Sequence, residues 1–324
     1  MQNESHEDHS PHLLKGWRFG ALITTIILTV VGYLLFALWG GWKEVWEACL
    51  KVGFLGISLA LCLSLVNYGL RYLRWDHFLK VLGYKIPWFD NLRIYIAGFA
   101  LTTTPGKAGE ALRSLFLKDF HVPYRQSFGA FIAERLSDLI AILVLTIFGL
   151  LAYPQAKFIV LPIAALILLL LYAVQQDRWL KKLENFARGL LSERTGHLVE
   201  FFIETILAFR SCFHTKVLLY GIFLGIIAWG AEGAAFYIIL KLLGANIDFA
   251  TAVFIYAFSM LIGAITFLPG GLGGMEVTML QLLLFNNVDP SSAVAATLVI
   301  RLATLWFSVI LGLIALPKTH TAIT

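Results

Sequence analysis

Nine charged side chains stand within or beside apolar stretches of this sequence, where ionised groups are rare. Each costs at least about 2.5–3.5 kcal/mol at the centre of a bilayer, so none is expected to face lipid. They would instead face one another, water or a polar ligand, and we interpret them as candidate substrate-binding residues. The nine are Lys107, Glu110, Arg113, Glu134, Arg135, Asp138, Glu232, Glu276 and Arg301.

Two of the apolar stretches are interrupted by Pro-Gly, a short glycine-containing turn and then a glutamate. Proline removes an amide donor and glycine permits unusual dihedrals, so a helix is expected to open there. The backbone N–H groups freed at a helix N-terminus favour an anion. The predicted helix-breaking residues are Pro105, Gly106 and Gly109 in the first interruption, and Pro269, Gly270, Gly271, Gly273 and Gly274 in the second.

The two interruptions begin units of similar layout. Glu110 and Arg135 are 25 positions apart, and so are Glu276 and Arg301. Three predicted crossings separate the two interruptions, and an odd number inverts the second unit relative to the first. Inverted repeats with broken helices place the binding site of a transporter near the membrane midplane. The predicted units cover about residues 92–152 and 249–316.

These charges suit a phosphate-bearing headgroup. Lys107 and Arg113 flank the first interruption, while Arg135 and Arg301 are expected near the midplane, one approached from each side. Guanidinium groups bind phosphate oxygens in a bidentate manner, which fits a phosphodiester that passes between leaflets. The carboxylates that would counter these charges or bind a cationic headgroup are Glu110, Glu232 and Glu276.

A purely structural interpretation stands beside this one. Glu134 and Asp138 are four positions apart with Arg135 beside Glu134, so these three side chains could simply pair with one another. In the same way, Glu276 could serve only to neutralise Arg301.

The elements that must position these residues are membrane helices. Of 324 residues, 59% are hydrophobic and 14% charged, with a mean hydropathy of +0.80, whereas soluble domains have roughly 45–50% apolar and about 25% charged residues. This composition excludes a soluble enzyme and a nucleic-acid-binding chain. The three cysteines and eight histidines show no convincing metal-ligand spacing, so neither a metal nor a cofactor is expected.

The predicted fold is an all-α polytopic membrane protein with about six full spans and two re-entrant broken-helix units that form an inverted repeat. A polar cytoplasmic tail (1–17) precedes a single transmembrane domain (18–324). Each predicted span is long enough to cross a bilayer, which takes about 20 apolar residues. The six spans are 19–42, 52–70, 128–152, 158–176, 217–243 and 291–316.

The basic residues predict the orientation. If both broken regions are re-entrant and the N-terminus is cytoplasmic, 17 of the 25 Lys and Arg residues fall on the cytoplasmic side, Arg71 and Arg74 among them, as the positive-inside rule requires. Both termini are then cytoplasmic, in a bacterial-type inner membrane. The segment 177–215 mixes charged and apolar residues, which predicts an amphipathic helix on the cytoplasmic face.

Three stretches resemble the lysylphosphatidylglycerol synthase transmembrane family, the flippase-like domain at the N-terminus of multiple peptide resistance factor. They are residues 105–113, residues 134–138, and residues 268–273 with Glu276. The resemblance covers nearly all of the chain after the polar tail. It implies translocation of a lipid between leaflets, without fixing which lipid, and the separate soluble domain that makes an aminoacylated lipid in larger members is not expected here.

We therefore expect a flippase that moves a phospholipid or polyprenyl-linked headgroup, with an anionic, aminoacylated or polyprenyl-linked membrane lipid as its ligand. No nucleotide-binding motif appears, so movement would be passive or coupled to an ion. Two alternatives stay open. One is a non-transporting subunit that docks a lipid-modifying enzyme or glycosyltransferase through 177–215. The other is an integral-membrane headgroup enzyme with Glu110 or Asp138 as base. A homo-oligomer is also left open.

Overall fold

The structure, a computed structural model, describes residues 31, 38, 42–103, 110, 113–147, 149–150, 153–176, 193–266 and 268–320. All regular secondary structure in these residues is helical. The predicted tail 1–17, nearly all of the first predicted span and four predicted site residues lie outside the described residues. These four are Pro105, Gly106, Lys107 and Gly109.

Long helices alternate with short helical turns along the chain. The α-helices are α1 (Trp42–Val81), α2 (Trp88–Ala97), α3 (Arg113–Phe116), α4 (Tyr124–Ile147), α5 (Lys157–Gln175), α6 (Glu193–Cys212), α7 (Thr215–Leu242), α8 (Phe249–Ile265), α9 (Gly274–Phe285), α10 (Pro290–Arg301) and α11 (Phe307–His320). Short 3₁₀ turns follow α2 and α3 and precede α5 and α9, and a π-helical turn, Leu302–Trp306, joins α10 to α11.

Four helical stretches in the described residues are long and apolar enough to cross a membrane: Trp42–Val81, Pro154–Ala173, Thr215–Leu242 and Pro290–Leu316. They coincide with four of the six predicted spans. The predicted span 128–152 falls on α4, whose 24 residues would reach about 36 Å. Helix α4 is not among the four stretches apolar enough to cross a membrane, because three charged residues, Glu134, Arg135 and Asp138, lie within it.

Helices α1 and α7 form an antiparallel pair in the bundle. Leu242 lies against Gly56, while Phe78 lies against Gly221. We call the end of the bundle at Phe78 and Gly221 end A, and the end at Gly56 and Leu242 end B. Helix α1 continues well past residue 70, the predicted end of its span, because its buried face finds partners as far as Leu79.

The broken part of the second unit, from α8 to α9, starts and finishes at end B. The Tyr153 ring stacks on Phe254, near the start of α8, with the ring centroids 4.6 Å apart. The Tyr153 hydroxyl donates a hydrogen bond to Asn286 Oδ1, just past α9, at 2.8 Å. Phe249 packs on Tyr237 of α7, with centroids 5.4 Å apart. The start of α8 and the end of α9 therefore lie at the same end of the bundle, and the re-entrant unit itself stays a prediction.

The broken part of the first unit, from α2 to the turn after α3, starts and finishes at end A. The Tyr72 hydroxyl of α1 donates to the carbonyl oxygen of Trp88, where α2 begins, at 2.9 Å. Val122 precedes α4, whose other end at Gly149 lies against Phe254 at end B, so the segment before α4 finishes at end A. The two broken units thus enter the bundle from opposite ends.

The broken part of each unit also packs against the long helix that ends the other unit. A Cβ atom added to Gly149, just after α4, would overlap the Phe254 ring of α8. A Cβ atom added to Gly312 of α11 would overlap the Ala100 nitrogen in the turn after α2. Such reciprocal packing is expected of an inverted repeat, and the repeat itself stays a prediction.

Part of the predicted amphipathic segment 177–215 is helix α6, which packs along α4. Arg125 of α4 pairs with Glu204 at 2.8 Å, and Phe209 and Cys212 are buried. Residues 177–192 of the segment are not among the described residues.

Candidate functional site

Seven charged side chains meet where α1, α4 and the broken part of the first unit pack together. Helix α4 supplies three of them on one face, because positions 134 and 138 are one helical turn apart. We call the set the arginine–carboxylate cluster: Arg71, Arg74, Glu110, Arg113, Glu134, Arg135 and Asp138.

Arg135 links the carboxylates of the cluster. Its Nη2 lies 2.9 Å from Glu134 Oε1 and 3.1 Å from Asp138 Oδ2, and its Nη1 lies 3.5 Å from Glu110 Oε2. Arg71 Nη2 lies 3.5 Å from Asp138 Oδ2. Removing one partner from such a buried pair typically costs about 3–5 kcal/mol, because the other charge is left uncompensated.

Aromatic rings hold Arg113 in the cluster. Its guanidinium carbon lies 4.2 Å from the centre of the Trp75 ring and 4.8 Å from that of Tyr95. The Tyr95 hydroxyl donates to Glu134 Oε1 at 2.8 Å, and Arg113 also pairs with Glu134. Cation–π contacts of this kind stabilise a desolvated cation by about 2 kcal/mol, so Arg113 fixes the first unit against α1 and α4.

Several arginine N–H groups of the cluster are buried but donate no hydrogen bond within the described part of the chain. They include Nε and Nη2 of Arg71, Nε and Nη1 of Arg113, and Nε of Arg74 and Arg135. Buried donors are normally satisfied, by protein, ligand or water. With four guanidinium groups against three carboxylates, the cluster has both spare donors and one excess positive charge, which are properties of an anion site.

The second unit contains its own ion pair. Arg301 Nε lies 2.7 Å from Glu276 Oε1, and its Nη2 donates to the Gly270 carbonyl oxygen at 2.7 Å. Glu276 Oε2 accepts the Gly273 N–H at 2.8 Å and so caps α9. Both glutamate–arginine pairs with the spacing of 25 residues therefore lie in direct ionic contact, since Glu110 and Arg135 also meet at 3.5 Å.

The second predicted helix break is present. Gly270, Gly271 and Gly273 have φ angles of +62°, +70° and +82°, which residues with a Cβ rarely adopt. A Cβ atom on Gly274 would lie 2.8 Å from Thr266 Cγ2. Pro269 begins the short turn that places Gly270 beside Arg301.

A polar cavity of about 50 Å³ joins residues of both units. Glu232 of α7 lines it and accepts a hydrogen bond from the Tyr256 hydroxyl. Its charged lining residues come from α1, from α7, from α10 and from the first unit: Arg71, Glu110, Glu232 and Arg301. A cavity with both signs of charge can bind a phosphate group and counter a positive group beside it.

An apolar cavity of about 280 Å³ lies next to the polar one. The two cavities share Trp229, Met260 and Gly270 in their walls. The Trp229 indole N–H donates to Asp138 Oδ1 at 3.0 Å, and its ring lies under Arg71, 5.2 Å from the guanidinium carbon. Trp229 is thus a fixed partition between a charged space and an apolar one.

The structure brings most of the predicted site residues together. Glu110, Arg113, Glu134, Arg135 and Asp138 lie in the cluster. Glu276 forms a separate pair with Arg301, and the polar cavity joins that pair to Glu232 and the cluster.

Sequence reasoning missed Arg71 and Arg74, which it assigned to the cytoplasmic flank of a span. Both are buried, with 4% and 0% of their surface exposed. A usable signal exists, because Ser64 and Asn67 precede them on the same helical face at spacings of 3, 4 and 3 residues. Polar residues with that period inside an apolar helix indicate a buried polar face rather than a helix end. The partners Trp229 and Tyr256 carried no comparable signal.

Comparison with known proteins gives a consistent family relationship. The family model described as "Lysylphosphatidylglycerol synthase TM region" matches residues 21–312. The chain is 26% identical to the UPF0104 membrane protein PH1989 of Pyrococcus horikoshii, over 91% of this chain and 96% of the relative. It is also 26% identical to a UPF0104 membrane protein of Methanothermobacter thermautotrophicus, over 92% and 95%. These relatives' names state a membrane location and no activity.

Proposed function

The chain belongs to the lysylphosphatidylglycerol synthase transmembrane family, as the resemblance of its motifs predicted, and from that premise we propose that it moves a lipid headgroup between the two leaflets of a membrane. The ligand would be an anionic, aminoacylated or polyprenyl-linked lipid. The headgroup would pass through the polar cavity while its hydrocarbon chains stay in apolar surroundings.

The observation that carries this proposal is the pairing of the two cavities. The polar cavity holds Arg71 and Arg301 beside carboxylates, and the apolar cavity begins on the other side of Trp229. Ligand sites are concave and mostly apolar, with a few convergent polar groups that fix orientation. Adjacent charged and apolar spaces match the two halves of an amphiphile.

The arrangement of the broken units supports passage rather than binding alone. The first unit enters at end A and the second at end B. Arg301 touches the break of the second unit, while Glu110 and Arg113 follow the predicted break of the first. Movement of either unit would therefore reach the same cavity from a different end. This is the geometry that alternating access needs.

The orientation that we propose places end A in the cytoplasm. The basic residues Lys80, Lys85, Lys118 and Lys216 lie at or near this end, close to the ends of α1, α3 and α7. Excess Lys and Arg favour the cytoplasmic side. Both termini would be cytoplasmic, with the protein in the cytoplasmic membrane.

The test is headgroup accessibility in proteoliposomes. A fluorescent phosphatidylglycerol in both leaflets is quenched from outside by an impermeant reductant, and movement appears as quenching beyond the outer-leaflet fraction. We expect movement with the wild type, its loss with Arg71→Gln, and little change with Arg93→Gln, a matched change outside both cavities. A wild type that moves no anionic or zwitterionic lipid would contradict the proposal and favour the docking-subunit alternative, while turnover of the headgroup would favour the enzyme.

A further inference from the structure

The apolar cavity opens on the side of the bundle. Its walls include Leu139 and Ile142 of α4 and Ala264 of α8. Ala264 and the neighbouring Leu268 are exposed, Leu268 with 45% of its surface. In a chain that spans a membrane, an exposed apolar side faces lipid, so the cavity connects the hydrocarbon phase with the space beside Trp229.

Two charged residues stand in this otherwise apolar wall. Arg135 and Asp138 of the arginine–carboxylate cluster line the cavity. The Arg135 side chain is 19% exposed, whereas those of Arg74 and Arg113 are fully buried. Arg135 is therefore the arginine of the cluster that a ligand in the apolar cavity can reach.

The charge count of the cluster allows Arg135 to change partners. If its guanidinium turns toward the cavity, Arg71, Arg74 and Arg113 remain for three carboxylates. No carboxylate of the cluster is then left without a cation, which is the expensive outcome for buried charges. Arg113 has less freedom, because it is stacked on Trp75 and Tyr95 and paired with Glu134.

Resting on the proposed function, we propose that the apolar cavity is a binding site for one hydrocarbon chain of a phosphate-bearing lipid, whose phosphate binds to Arg135. The lipid would be held here before its headgroup passes Trp229 into the polar cavity. The substrate is then a lipid whose own chain enters the protein, rather than a headgroup whose chains all remain in the bilayer.

The experiment uses the full chain in phosphatidylcholine nanodiscs with a phosphatidic acid that carries a diazirine at the end of one acyl chain. After irradiation, labelled peptides are identified by mass spectrometry. We expect labelling of residues 139–142 and 260–264 in the wild type. Ala264→Trp, which fills the cavity, should abolish this labelling. Val277→Trp, at a position 55% exposed on α9 and outside the cavity, should retain it.

The phosphate contact is tested with diacylglycerol carrying the same diazirine. Arg135→Gln should reduce labelling by the phosphatidic acid to the level given by diacylglycerol, while Arg93→Gln should not. Ala264→Leu serves if the tryptophan variant does not give a monodisperse protein. Equal labelling by both probes in the wild type, or full labelling of a folded Ala264 variant, would overturn the inference.

The experiments distinguish a failure of the proposed chain-binding site from a failure of the proposed transport function. Site labelling as expected without lipid movement would contradict the proposed function and leave the chain site standing. Lipid movement with no labelling at 139–142 and 260–264 would contradict the chain site alone.

Discussion

Arg301 and Glu276 form an ion pair at 2.7 Å in which the glutamate also caps the helix that follows the break. One carboxylate thus holds both the arginine and the first turn of α9. The guanidinium in turn donates a hydrogen bond to the Gly270 carbonyl oxygen, so the pair connects α9 and α10 to the turn at the break. The corresponding pair in the first unit, Glu110 and Arg135, is looser at 3.5 Å and belongs to a larger cluster.

This difference predicts that the second pair stabilises the fold around the break in addition to lining the polar cavity. Glu276→Gln and Arg301→Gln should each lower the free energy of unfolding by about 3–5 kcal/mol, because each leaves a buried charge without its partner. The double variant should recover most of the loss, since the amide oxygen introduced by Glu276→Gln can still accept the Gly273 N–H and no charge remains. Thermal unfolding in detergent measures this. A double variant as unstable as the sum of the singles would contradict the structural role.

The reciprocal packing of the two units predicts a strong effect at Gly312. Gly312→Ala would place Cβ against the Ala100 nitrogen, and such overpacking typically costs about 1–3 kcal/mol. Gly230→Ala is the matched control, because nothing lies within 4 Å of its added Cβ on α7 and alanine favours a helix by about 1 kcal/mol. We expect a lower Tm for the first and an equal or higher Tm for the second. An equal loss of Tm in the two variants would mean that α11 does not pack tightly against the first unit.

Two aspartates at end B predict a pH dependence. Hydrogen bonds from Thr251 lower the pKa of Asp248, and hydrogen bonds from the Ser291 side chain and the Ser292 backbone lower the pKa of Asp289. Both side chains cap helices, α8 and α10 respectively. Because the folded pKa is the lower one, this stabilisation is present above the unfolded pKa of about 3.9 and is lost as the pH falls below it.

Replacement by asparagine should remove that dependence and keep the caps, because asparagine is an equally good N-cap. The Asp248→Asn, Asp289→Asn variant should lose less Tm than the wild type between about pH 6 and pH 3. Asp248→Ala should instead cost about 1 kcal/mol near neutral pH. An unchanged Tm in the alanine variant would show that this cap contributes nothing.

The orientation predicts opposite labelling of two exposed positions. Gln155 lies at end B beside Tyr153, and His214 lies at end A before α7. In a cysteine-free background, Gln155→Cys should react with an impermeant thiol reagent on intact spheroplasts, and His214→Cys should react only after permeabilisation. The reverse pattern would invert the proposed topology, and labelling of both positions on intact cells would contradict the separation of the two ends.

The sequence predicted the helical class, the second break and most of the charged residues that meet. It could do so because the conformational freedom of a glycine and the cost of burying a charge are properties of the residue itself and do not depend on distant partners. It left Arg71 and Arg74 out of the site, since the positive-inside rule counts charge near span ends and carries no information on the Glu134 and Asp138 side chains that lie opposite. The position of Trp229 between the two cavities could not be predicted from the sequence for a similar reason. An aromatic residue in an apolar helix carries no particular signal until its neighbours are known.

The shared spacing of 25 residues is the case where sequence reasoning went furthest. It predicted that the two units share a layout, and the glutamate–arginine pair of each unit is in contact. It did not predict that Glu276 also caps α9 or that Arg301 binds Gly270, because those bonds depend on the local path of the break. The spacing identifies the residues of each pair. How much each pair contributes to stability or to ligand binding depends on the other contacts that its residues make.

Access to the polar cavity from both sides of the membrane tests the central claim most directly. Ser308 lines this cavity and is 5% exposed, so Ser308→Cys in a cysteine-free chain is a nearly isosteric probe. We predict that it reacts with an impermeant thiol reagent added to either side of sealed proteoliposomes, and that phosphatidylglycerol slows both reactions. Ser259→Cys, buried and outside both cavities, should react from neither side. Reaction of Ser308→Cys from one side only, or no protection by the lipid, would contradict a headgroup pathway through this cavity.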